Sequence, residues 1–416
     1  MKLQKARGVR DFSFEEKIRR NDIADKLRSV FEKNGFSPIE TPVLERFDVL
    51  SAKYAGGDEI LKETFRLKDQ GNRNLGLRYD LTVPLCRYIG MNPSVKFPFK
   101  RYQIERVFRD GPIKLGRYRE FWQCDIDIIG VKGMLAEMQC IEVASSVFEE
   151  TGIDVDIRIN NRKILNGIMK DIGISDKADD VILSIDKLQK IGKKEVRKEI
   201  ISKGVDEDKA DSIFEYITRE SFEDMDIKDE EGKQGLKEIK ELFSYLSSIN
   251  IKPVFDPSLA RGLNYYNGTI FEVFLKNSDI KSACAAGGRY DNLISNFLGS
   301  KKDFPSVGIS FGLDVLSDAI KNKGRKTKTD VFIIPINTTS ECIRIARELR
   351  KDINVDLDIM GRGITKNLQY ADSMGIMYCL IVGEDELKAG KYKLKNLESG
   401  DEENMRLEDI PPKVLK

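Results

Sequence analysis

Apolar positions recur at helical spacing between residues 14 and 34. Phe14, Ile18, Ala24, Leu27 and Phe31 mark the repeat. Ser13 and Glu16 have capping-box spacing, and Gly35 offers a C-terminal stop, so the pattern predicts a long amphipathic helix. The next segment, GFSPIETPVLE (35–45), carries two prolines. Proline cannot donate to a sheet ladder, which places this stretch at an edge or an interface.

The period changes to two further on. Arg101 to Arg109 and Arg117 to Ile128 both alternate, and the DGPIKLG between them carries Gly111, Pro112 and Gly116. Two strands around a loop are expected. Arg117, Arg119, Phe121, Gln123, Asp125 and Asp127 share one face, and Tyr118, Glu120, Trp122, Cys124, Ile126 and Ile128 share the other. Glu105 and Arg109 share a face of the first strand, so a hairpin would gather Arg109, Arg119, Gln123 and Asp127 on one surface. Spacing alone leaves open whether that polar face is solvated or functional.

Residues 162–248 read as mostly helical, rich in Lys, Glu and Asp, between strand-like stretches on either side. They are expected to form an inserted helical subdomain. After the basic stretch DAIKNKGRKTKT (318–329), the pattern becomes strand, helix, strand, helix, strand: DVFIIPI, SECIRIARELRK, VDLDIM, ITKNLQYADSMG, IMYCLIVG. That alternation predicts a parallel sheet with packed helices.

Composition narrows the chemistry. The 416 residues are 40 % hydrophobic and 33 % charged with a net charge of +1, enough for large cores under charged surfaces. There is no histidine. That removes Ser-His-Asp and Cys-His nucleophile systems, HExxH zinc sites and His-ligated haem. A general base would have to be Asp, Glu, Lys, Tyr, Cys or the substrate itself. Cys86, Cys124, Cys140, Cys284, Cys342 and Cys379 form no CxxC pair, so no bound zinc is expected. Their scatter reads as reduced thiols of a cytoplasmic protein. The N-terminus MKLQKARGVRDF lacks the apolar core of a signal peptide, and no apolar run approaches the ~18 residues of a membrane span.

Charge is uneven locally. Residues 96–119 hold eight basic side chains and only two acidic ones, Glu105 and Asp110. Such an excess fits a phosphate-handling site or, more plainly, a solvated basic face.

Four segments carry candidate chemistry. GLRYDLTVPLCRY (76–88) contains Asp80 and Thr82, and the basic hairpin contains Arg109 and Gln123. LARGLNYYNGTIFEVF (259–274) places Arg261, Tyr265 and Tyr266 in a Gly-rich turn. AAGGRYDNLI (285–294) has Gly287 and Gly288, which allow close backbone approach, before Arg289.

Together these segments resemble the histidyl-tRNA synthetases, a family of class II aminoacyl-tRNA synthetases. ARGVRDF, GFSPIETPVLE as motif 1, RDGPIKLGRYREFWQCDIDIIG as motif 2 and ARGLNYYNG as the histidine-binding signature carry the likeness. LRYDLT, REFWQCDIDI and SIDKLQKIGKKEV look like the archaeal and eukaryotic branch. The resemblance implies an α+β class II catalytic domain on an antiparallel sheet over 1–320, with the helical insertion at 162–248. A linker at 321–329 and a C-terminal α/β anticodon-binding domain at 330–416 follow. It implies ATP-dependent histidyl-adenylate formation and transfer to tRNA, Mg²⁺ arriving with ATP, and a homodimer joined through motif 1. Arg109 and Arg261 would be catalytic on the α-phosphate. Asp80, Thr82 and Gln123 would hold the ammonium and carboxylate of histidine. Asp127 and Tyr266 would face the imidazole, with Tyr265 beside them. The acceptor end of tRNA would meet loop 110–116.

Two positions depart from the family pattern. Val315 follows Asp314 where motif 3 usually has an arginine on the γ-phosphate, and Asn264 stands where Asp is usual. Arg117, Arg119 or Arg289 is then expected to hold the ATP phosphates instead. The same departure fits a second reading, a histidine- or tRNA-binding regulatory paralogue like the regulatory subunit of ATP phosphoribosyltransferase.

Overall fold

The structure is a computed structural model that describes residues 3–51, 61–113, 117–261, 265–280, 282–320 and 324–415. It divides into two compact units, Met1–Arg10 with Ile23–Lys321 and Asp11–Asp22 with Asn322–Lys416.

The predicted N-terminal helix runs from Phe14 to Lys33. Its capping box is formed: the Ser13 N–H donates to Glu16 Oε2 at 2.7 Å and the Glu16 N–H to Ser13 Oγ at 3.3 Å. Its buried stripe is Ile23, Ala24, Leu27, Val30 and Phe31, whereas Phe14 is 74 % exposed and lies outside it.

Sixteen strands are present among the described residues. Ser37–Pro38 (β1) lies in the two-proline segment and is an edge strand, as expected. Leu44–Arg46 (β2), Arg66–Lys68 (β3) and Asn74–Leu77 (β4) form a small antiparallel sheet. The main sheet adds Phe99–Phe108 (β5), Glu120–Ile129 (β6), Val155–Asn161 (β7), Val254–Phe255 (β8), Thr269–Leu275 (β9), Ala285–Arg289 (β10) and Ser306–Gly312 (β11). Its order is β1-β5-β6-β11-β10-β9-β7-β8. The six central strands pair antiparallel, and the edge pairs β1–β5 and β7–β8 are parallel.

One face of this sheet packs on the helices Phe14–Lys33 and Leu135–Thr151. Tyr102, Ile104, Trp122, Cys124, Ile126 and Ile128 lie in that core. The other face meets the helices Thr82–Met91 and Asp291–Leu298 through Leu85, Cys86, Ile129, Tyr266, Ile270 and Tyr290. The helices from Arg162–Asp171 to Glu230–Ser248 stand between β7 and β8, where the charged insertion is expected, and share the first core.

In the second unit Val331–Pro335 (β12), Val355–Leu357 (β13) and Tyr378–Val382 (β14) are parallel, with Thr339–Leu349 and Ile364–Ser373 as the intervening helices. Tyr392–Asn396 (β15) and Glu402–Met405 (β16) extend that sheet antiparallel. The alternating pattern accounts for the first three strands only. No helix among the described residues is long and apolar enough to cross a membrane. All six cysteines are unpaired and buried.

Candidate active site

The polar face of the hairpin is buried at the end away from the loop, and its loop end stays partly exposed. Arg101 is 0 %, Gln103 1 %, Asp125 4 % and Asp127 4 % exposed. Register explains the grouping. Arg101 lies opposite Asp127, Gln103 opposite Asp125, and Glu105 opposite Gln123. On its other side β6 sets Asp127 against Gly308 and Asp125 against Ser310. Arg101 Nη2 is 2.6 Å from Asp127 Oδ2, and the Tyr290 hydroxyl donates to Asp127 Oδ1. Gln123 Nε2 donates to Ser310 Oγ at 2.8 Å. Nε and Nη1 of Arg101, Oε1 of Gln123 and Oδ1 of Asp125 are buried without a partner among the described residues. Buried polar atoms are normally satisfied, so this group is prepared for polar atoms from elsewhere.

Two glycines make room for it. Gly308 pairs with Gly288 across β10 and β11. A Cβ on Gly308 would come within 2.1 Å of Asp127 Oδ1, and one on Gly288 within 2.9 Å of the Tyr266 ring. Asp127 and Tyr266 therefore lie side by side over bare backbone. Tyr265 packs on Tyr266 with ring centroids 4.7 Å apart, and on Tyr290 at 6.2 Å.

The helix Thr82–Met91 closes one side. Asp80 Oδ1 accepts from the N–H groups of Thr82 and Val83, so this carboxylate caps the helix. Burial pushes the Asp80 carboxyl up, and the Arg109 charge counters it. Arg109 Nε donates to the Tyr79 carbonyl at 3.0 Å, and its guanidinium lies 5.1 Å from the Phe121 ring centroid. Burial lowers the Arg109 guanidinium, while Asp80 and Tyr265 act in the opposite sense. Arg261 is held at φ +47°, a conformation rare for a side-chain-bearing residue and concentrated at functional sites. Its Nη1 is 2.7 Å from Glu272 Oε1, and its guanidinium lies 5.6 Å from the Tyr266 ring centroid.

The charge excess of residues 96–119 is partly neutralised in space by four ion pairs. Arg101 pairs with Asp127, Arg106 with Glu120, Arg117 with Glu63 and Arg119 with Asp110. Arg117 and Arg119 remain partly exposed at 48 % and 30 % of their side chains.

The family model for histidyl-tRNA synthetase matches residues 8–316, and that for an anticodon-binding domain matches residues 330–416. This chain belongs to the histidyl-tRNA synthetase family. A histidine–tRNA ligase 1 from Bacillus cereus is 43 % identical, with 99 % of this chain and 97 % of that protein covered. A histidine–tRNA ligase 2 from Shouchella clausii is 41 % identical over 97 % of this chain and 98 % of its own length. The crystal structure of a histidyl-tRNA synthetase from Nostoc sp. superposes with a TM-score of 0.88 at 30 % identity, covering 100 % of this chain and 99 % of the other.

These relatives correct two expectations. They are bacterial, so the archaeal and eukaryotic branch finds no support. Of the motifs read for that branch, LRYDLT and REFWQCDIDI lie at the site, whereas SIDKLQKIGKKEV lies in the insertion helices Ala178–Ile185 and Leu188–Ser202. The regulatory alternative also finds no support, since the full-length relatives are named as ligases.

The structure removes one synthetase residue from the expected phosphate set. Arg289 is 2 % exposed and fully engaged. It donates to both Glu137 carboxylate oxygens, to Asp291 and to the carbonyls of Val131 and Gly133. It follows Gly288 in β10, so its side chain points to the opposite face of the sheet from Asp127. At the departing motif 3 position, Val315 packs half-buried on the core below Gly312. The preceding Asp314 accepts from Arg10 and from the Trp122 N–H. Asn264 lies outside the described residues, as do 114–116 of the motif 2 loop.

Sequence reasoning missed Arg101, Tyr290, Glu272 and Ser310. Arg101 carried a usable signal, since it shares the period of two with Arg109. The other three depend on cross-strand neighbours.

Proposed function

We propose that this chain ligates histidine to its tRNA in two steps, ATP-dependent formation of histidyl-adenylate and transfer to the tRNA 3′ end. The observation that carries this reading is the buried pair of Asp127 and Tyr266 over Gly308 and Gly288. A neutral imidazole has one donor and one acceptor nitrogen, and a carboxylate beside a phenol complements both. An apolar rival would leave these groups unpaired, which is a costly mismatch.

The substrate supplies the nucleophile. An amino-acid carboxylate is ionised at neutral pH, so no side-chain base is needed to attack the α-phosphate. The attack forms the acyl-phosphate bond, breaks the bond to the β-phosphate oxygen and releases pyrophosphate. The protein must position the reactants and offset charge on the phosphate. Arg109 and Arg261 are assigned that work, because guanidinium forks hold phosphate oxygens in fixed directions. Asp80, Thr82 and Gln123 are assigned to the ammonium and carboxylate, and Tyr265 to the pocket wall. Arg117 and Arg119, partly exposed, are assigned to the outer phosphates. Mg²⁺ enters with ATP and is bound mainly by phosphate.

The same reading divides the chain. Residues 1–320 activate histidine, with the insertion at 162–248. Residues 321–329 link to the anticodon-binding portion at 330–416. Loop 110–116 receives the acceptor end, the segment 35–45 joins two copies, and the protein works in the cytoplasm. Binding of tRNA should weaken with salt as counterions are released.

The test is Arg261→Ala in a tRNA-charging assay. Removing one such charge should cost roughly 10²–10³-fold in rate with the fold retained. Near wild-type charging would remove Arg261 from the chemistry.

A further inference from the structure

Asp127 does not act alone. Its strand neighbour Arg101 is fully buried, and one nitrogen reaches both Asp127 Oδ2 at 2.6 Å and the Leu81 carbonyl at 3.3 Å. The other two guanidinium nitrogens have no partner among the described residues. A buried cation is retained at high cost unless a fixed anion balances it. Here the anion is the carboxylate expected to meet the imidazole.

The remaining groups near Asp127 add little fixed charge. Tyr290 donates to it, and Tyr266 lies beside it. Cys86 and Cys140 lie in the cores on the two faces of the sheet, and burial pushes both thiols up, which keeps them neutral. Gly308 opposite has no side chain. Asp125 shares its strand, and burial raises that carboxyl to about 7, so it is largely protonated in mild acid. Asp80 acts on Arg101 from the end that holds the substrate ammonium.

An unpaired Asp127 would attract a cationic ring. Paired with Arg101 it presents no net charge, yet its lone pairs still accept an N–H. We infer that Arg101 is a specificity-determining residue that makes the pocket select the neutral imidazole of histidine and refuse imidazolium and other cationic side chains. The inference rests on the proposed function and goes further, by assigning the protonation state of the substrate and the residue that sets it.

Proton linkage tests it directly. Histidine binding is measured by calorimetry near pH 5.5 in two buffers of different ionisation enthalpy, with 1,2,4-triazole-alanine as a ring that is not protonated there. Histidine should release about one proton more than the triazole analogue, because imidazolium must deprotonate to bind. The analogue also subtracts any contribution from Asp125. Arg101→Met should abolish the extra release, and Arg101→Lys should keep it. Equal release for the two ligands in the wild-type protein would overturn the inference, and that comparison needs no variant. Failure of histidine to bind at all would instead overturn the proposed function.

Discussion

Asp125 is buried with one oxygen unpartnered among the described residues, and its carboxyl is pushed up to about 7 by burial, with Arg101 opposing and nearby Asp127 adding to it. The sign of its contribution follows. The unfolded chain releases this proton near pH ~4, but the folded protein keeps it until about 7. The folded state therefore binds more protons in that window, and stability falls as pH rises through it. Asp125→Asn keeps the shape and removes the charge. It should raise the melting temperature relative to wild type most at about pH 8, and the gain should shrink steadily as pH falls towards about 4. A variant destabilised most at the higher pH would show that the ionised carboxylate is stabilising. What was legible at this scale was residue type and parity. Gln123 and Asp127 fall on one face by counting in twos. Burial was not legible, and so Arg289 was expected on phosphate when its parity in β10 sends it to Glu137.

The strands set how closely side chains approach the sheet. Gly308 sits opposite Asp127, and the Ile126 carbonyl lies 2.8 Å from where its Cβ would be. Gly308→Ala must therefore displace Asp127 or part β6 from β11. The expected result is a raised KM for histidine, by tenfold or more if the displacement costs about 1.4 kcal/mol. An unchanged KM in a folded variant would mean that Asp127 does not meet the substrate. The element that follows β11 makes a second point. The helix Leu313–Ala319 opens with Asp314 bonded to Arg10 and to the Trp122 N–H, and Val315 comes next. Val315→Arg should lower the KM for ATP by restoring a guanidinium at the usual motif 3 position. An unchanged KM would mean that another cation already holds the outer phosphates. The two strands of the hairpin, the N-terminal helix and β12 to β14 could be read from periodicity, because each buries one face at a regular interval. The antiparallel β15 and β16 could not, because their residues are mostly exposed or half-buried and the apolar alternation is weak.

Across the whole molecule, the absence of histidine and the proposed chemistry agree. Carboxylate attack on ATP needs arginines and positioning, and the only imidazole in the site arrives as substrate. The sheet brings this about by linking segments remote in sequence. Asp80, Arg109, Asp127, Arg261 and Tyr266 come from three stretches, and the order β5-β6-β11-β10-β9 makes the hairpin and the segment before β9 neighbours. That order was not legible from periodicity, which fixes faces but not partners. The measurement that bears most directly on the account is ATP–pyrophosphate exchange with a panel of amino acids. Exchange should depend on histidine and be weak or absent with the others. Histidine binding without exchange for any amino acid would contradict activation, and exchange driven by a different amino acid would contradict the imidazole pocket.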